Sequence, residues 1–94
     1  MRDAHLSTLA VLATSMTELT TTSMARAVGW TPQEGPVLDA ALKRMQRTIN
    51  EIDEMLPGRL VKRPQAGGGV RGGGTGYRLK DPEAWARALG LEAS

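Results

Sequence analysis

Nine of the chain's twelve cationic side chains fall within residues 43–80: Lys43, Arg44, Arg47, Arg59, Lys62, Arg63, Arg71, Arg78 and Lys80. Only Glu51, Asp53 and Glu54 oppose them, so this segment carries +6 while segments 1–42 and 81–94 each carry −2. A regional excess of this kind suits a polyanion partner, because each cation set beside a phosphate releases a condensed counterion. Lys43, Gln46, Arg47 and Asn50 recur at steps of three and four, the spacing of one helix face, and all four can hydrogen-bond to base edges or phosphates. Glu51, Asp53 and Glu54 follow toward the end of the same stretch, where they would repel phosphates and oppose the helix macrodipole. Duplex contact is therefore expected on the leading half of that helix.

Other chemistries find little footing. Gly67, Gly69 and Gly72 formally satisfy G-x-G-x-x-G, but a dinucleotide site needs a helix after the glycines and a strand pattern follows instead. Arg71, Gly72 and Gly73 make a single RGG copy without interleaved aromatics. Trp30, Tyr77 and Trp85 are the only aromatic residues, too few for a stacking platform on single strands. With no cysteine there is neither a disulfide nor a thiolate site. The one histidine, His5, is expected at the surface, without a serine and carboxylate arranged about it. Asp53 and Glu54 are neighbours on a helix and so diverge by about 100°, which defeats a paired-carboxylate site. No enzyme activity, metal, cofactor or small-molecule ligand is expected. The longest apolar run, residues 9–13, is far short of the about 20 residues that a membrane span needs. A cytoplasmic, nucleoid-associated location without a membrane partner is the expectation.

The elements that must hold these residues can be read from periodicity. Ninety-four residues bound one domain, 1–94, whose small core would gain from dimerisation. Leu6, Leu9, Ala10, Leu12, Ala13 and Met16 mark an amphipathic helix over 5–16. The hydroxyls of residues 20–23 offer an N-cap for a short second helix that Gly29 ends. Pro32, Gly35 and Pro36 make 30–36 a loop, with Pro36 suited to open the next helix. Leu38, Leu42, Met45, Ile49, Ile52 and Leu56 then run at alternating steps of four and three, predicting a long helix over 36–56. Residues 59–63 and 77–79 read as two strands of a hairpin with a glycine-rich cationic loop between them, a wing over about 59–80. Asp81, Pro82 and Glu83 carry helix-start signals for a closing helix over 81–91.

The order ααα-ββ-α, mainly α with a two-stranded β wing, is that of a winged helix-turn-helix, with the third helix in the major groove. The run Leu56, Pro57, Gly58, Arg59, Leu60, Val61, Lys62, Arg63 resembles the L-G-x-R-L-F-x-R exit from the recognition helix of LysR-type regulators. Met45, Ile49 and Ile52 fall where that family sets its apolar helix residues, and Thr22, Met24, Ala25, Val28 and Trp30 resemble its second helix. Residues 67–79, GGGVRGGGTGYRL, are similar to the glycine-rich wing of molybdate-responsive regulators. The resemblance implies the DNA-binding module alone and does not carry over ligand sensing. By position it sets Gln46 and Arg47 at base edges and Arg71 on a phosphate or in the minor groove. The ten or so residues added over 30–40 depart from both families and would distort the tight turn between second and third helix.

The resulting expectation is a homodimeric transcriptional regulator that binds double-stranded DNA. Lys43, Arg44, Gln46, Arg47 and Asn50 would meet the major groove, and Lys62, Arg63, Arg71 and Arg78 would neutralise phosphates. Leu6, Leu9, Leu12, Trp85, Ala88 and Leu89, on the first and last helices, are the candidate dimer interface. The other reading is a protein-interaction module on the same scaffold, since fold does not fix function.

Overall fold

A computed structural model describes residues 2–32, 34–36, 38–64 and 75–91. Four helices and a two-stranded antiparallel sheet follow in the order α1 (Asp3–Thr14), α2 (Thr21–Ala27), α3 (Asp39–Met55), β1 (Leu60–Pro64), β2 (Thr75–Leu79) and α4 (Pro82–Ala88). Leu60 pairs with Leu79, Lys62 with Tyr77 and Arg63 with Gly76. An isolated antiparallel bridge, Leu19 to Tyr77, adds a third short rung on the far side of β2. Its two backbone hydrogen bonds, 2.8 and 2.9 Å, fasten the α1–α2 connection to the hairpin.

One core joins all these elements except α4, which lies over it from outside. Leu9, Leu12 and Ala13 meet Met24 and Ala25 from α2, Met45, Ile49 and Ile52 from α3, and Leu60, Tyr77 and Leu79 from the hairpin. Trp85, Ala86 and Leu89 of α4 pack on its margin, chiefly against α1. Two helix ends show how the chain turns. Gly29 and Gly90 take positive φ, +84° and +72°, which glycine adopts without strain, and the residue after each donates five positions back, Trp30 to Ala25 and Leu91 to Ala86.

Several boundaries differ from the periodic reading. The first helix begins at Asp3 and stops at Thr14, so Met16 lies beyond it at 98% exposure rather than in the core. The third helix starts at Asp39, not at Pro36, with Leu38 as an extended N-cap residue 59% exposed. Asp39 in the first turn suits the positive end of the helix, and Leu38 lies before the turn that first faces the core. The closing helix is shorter than 81–91, and Asp81, though its N-cap residue, makes no side-chain cap. At α2 the cap is as read: Thr20 Oγ1 accepts from the Ser23 N–H at 3.1 Å.

The interface expectation is corrected in part. Leu9 and Leu12 are 0% and 2% exposed in the chain's own core, so neither can meet a second copy. Trp85 and Leu89 spend part of their surface on that core, while Leu6 and Ala88 remain exposed. His5 is also corrected. It is 5% exposed, inside the α1–α3 contact. Among the described residues no helix is long and apolar enough to cross a membrane.

Candidate nucleic-acid interface

The inward stripe of α3, Ala41, Met45, Thr48, Ile49 and Ile52, fixes which side chains can face out. Lys43, Arg44, Arg47 and Asn50 are exposed, and Lys43, Arg47 and Asn50 follow one another at steps of four and three. Glu54 stands one turn beyond in the same row. The two other acids of this helix are engaged to the sides. Glu51 meets His5 at 2.9 Å on the α1 flank, and Asp53 accepts from Lys62 Nζ at 2.8 Å on the hairpin flank.

Gln46 lies half-buried between helix and hairpin and spends its amide inside the protein. Its Nε2 donates to Asn50 Oδ1 at 3.2 Å and to the Tyr77 hydroxyl at 3.3 Å, and its Oε1 accepts from Thr21 Oγ1 at 3.5 Å. Both amide hydrogens are thereby used. Gln46 thus ties α2, α3 and β2 together and holds Asn50, and a base edge would have to compete with these partners for its amide.

On the opposite flank Arg44 lies over the Trp30 ring, 3.9 Å from its centroid, the approach at which the ring quadrupole attracts a cation. A cleft of about 300 Å³ opens beside it between the start of α1 and α3, lined by Arg2, His5, Arg44, Arg47 and Thr48 together with Asp3 and Glu51. Arg2 is the functional candidate that the sequence missed. An isolated arginine near the start of the chain carries no periodic signal, and only the α1–α3 contact brings it to Arg44 and Arg47.

The hairpin cations divide. Lys62 and its register partner Tyr77 both touch α3, through Asp53 and Gln46. Lys62 is held above its ordinary pKa chiefly by the hydrogen bond to Asp53, slight burial working the other way. Its charge is already answered inside the protein. Arg63 and Arg78 have the opposite strand parity and line a different cleft, with Ser15, Thr17 and Glu18. The cations expected to act together are thus not brought to one surface: Lys43, Arg44 and Arg47 share α3, while Arg63 and Arg78 form a second group. Arg71 lies outside the described residues. Among the described residues no group of three or more His, Cys, Asp or Glu side chains is arranged to hold a metal ion.

The chain matches no protein-family model, no curated protein and no solved structure.

Proposed function

We propose that this protein binds double-stranded DNA as a small winged helix-turn-helix regulator, with α3 in the major groove. The observation that carries the reading is the exposed row Lys43, Arg47 and Asn50 on the leading turns of α3, with Glu51 and Asp53 turned aside to His5 and Lys62. Cationic and amide side chains in one row on a helix are what base edges and flanking phosphates recognise. Glu54 confines the contact to the first three turns. Arg2 and Arg44 extend the cationic surface toward the phosphate backbone, and β1–β2 are the hairpin of the fold, with Arg63 and Arg78 facing a separate cleft. Binding as a homodimer would use Leu6 and Ala88, the two interface candidates left exposed. Selection of bound fragments from random duplex DNA tests the reading. It predicts an enriched site, repeated with two-fold symmetry if the protein dimerises, and recovery of no sequence above background would refute it.

A second reading, a protein-interaction module, is favoured by one feature. Exposed Leu38 borders a groove of about 230 Å³ with Trp30, Ala40, Ala41 and Arg44. Salt separates the two. Duplex binding falls steeply between about 50 and 200 mM salt, and an apolar protein contact does not.

A further inference from the structure

The second cationic group raises a separate question, since Arg63 and Arg78 lie on the face of the hairpin turned from α3. They border a cleft of about 520 Å³ with Leu12, Met16, Glu18 and Pro82, within the roughly 300–1,000 Å³ typical of small-molecule sites. The isolated antiparallel bridge of Leu19 to Tyr77 brings the chain before α2 beside β2, and Glu18 and Arg78 line the same cleft. Glu18 Oε1 stands 3.6 Å from Arg63 Nη1. Its other oxygen, Oε2, is shut off from water and has no hydrogen-bond partner among the described residues. A carboxylate oxygen in that condition is costly to keep and calls for a donor. Arg78 is exposed and forms no ion pair with any described residue.

We propose that this cleft binds a small zwitterion, an α-amino acid with an aliphatic side chain. The ligand carboxylate pairs with the Arg78 guanidinium, which suits it as a bidentate fork. The ligand ammonium donates to the carboxylate of Glu18, which lines the same cleft. The aliphatic group lies along Pro82 and Met16, whose flexible thioether stands at the rim in full exposure and is free to fold over it. A guanidinium at Arg78 and a carboxylate at Glu18 in one cleft favour a ligand that carries both charges over one that carries only one of them. The site uses no residue of the α3 row, so it stands or falls independently of DNA binding.

Titration of the 94-residue chain with leucine, followed by two-dimensional amide NMR, tests this. Saturable shifts are expected at Ser15, Thr17, Arg78 and Leu79. Leucinamide, which lacks the carboxylate, and isocaproate, which lacks the amine, should each bind about ten-fold or more weakly. Arg78→Ala, at an exposed position, should weaken leucine by about the same factor with the rest of the spectrum unchanged, and Glu18→Gln should do likewise. The proposal is overturned if leucine gives no saturable shift at these amides. It is equally overturned if isocaproate or leucinamide binds as well as leucine, or if Arg78→Ala keeps the wild-type affinity.

Discussion

The imidazole of His5 and the carboxylate of Glu51, forty-six residues apart in sequence, meet at 2.9 Å where α1 crosses α3. The other ring nitrogen, Nδ1, accepts the backbone N–H of Arg2 at 3.1 Å. Accepting there leaves the proton on Nε2, which donates to Glu51. One side chain thus closes the start of α1, locks it to α3 and draws an acid away from the cationic row.

Replacing His5 by Ala should lower stability by about 1–3 kcal/mol in urea denaturation, since it strands a backbone donor and opens the α1–α3 contact. The tautomer is checked separately by the nitrogen shifts of the ring, which should mark Nδ1 as the unprotonated nitrogen.

Leu9 separates core from interface. As a fully buried residue, Leu9→Ala should cost about 2–5 kcal/mol, with a melting midpoint that does not depend on protein concentration. A concentration-dependent loss confined to self-association would return it to a dimer surface.

The reasons for these successes and misses lie in particular residues. The order of helices and strands was legible because α3 repeats its apolar residues without a Gly or Pro and because the glycine run separates two short β patterns. The inward face of α1 was not wholly legible, since it buries His5 and Thr8, polar residues that periodicity assigns to solvent; Thr8 Oγ1 meets Met45 Sδ at 3.8 Å. The rung at Leu19 is a single residue, too short for any alternation to show. At the candidate site Lys43, Arg47 and Asn50 are readable from spacing, but Gln46, which the same spacing puts in their row, is turned to Tyr77 and Thr21. The division of the hairpin cations was not legible, because strand parity depends on a register that the glycine loop leaves open.

Lys62 and Asp53 give a test in the alkaline range. A lysine whose pKa is raised on folding contributes stability that is complete below its ordinary value of 10.5 and is lost as the pH rises through the folded value. Asp53→Asn should return the Lys62 titration, followed by NMR of the side chain, toward the ordinary value. Both partners are partly solvated, so the accompanying loss of stability at neutral pH should be only about 0.2–1 kcal/mol.

The Tyr77 hydroxyl holds Gln46, and Gln46 orients Asn50. Tyr77→Phe should cost about 0.5–1.5 kcal/mol in thermal unfolding, the net worth of one hydrogen bond. If Asn50 reads a base, the same variant should broaden preference at one position of the bound site while leaving the salt dependence of binding as it was. An unchanged preference would remove Gln46 from the positioning role.

The central claim is that the leading turns of α3 are the DNA-binding surface. Fluorescence anisotropy with a labelled duplex across about 50 to 200 mM salt measures it, comparing wild type with Lys43→Ala/Arg47→Ala and with Arg63→Ala/Arg78→Ala. The α3 pair should lose about 1–3 kcal/mol or more of binding and flatten the salt slope by about one to two, while the hairpin pair stays close to wild type. Binding that is absent in the wild-type protein, or that survives the α3 pair and vanishes with the hairpin pair, would contradict the account.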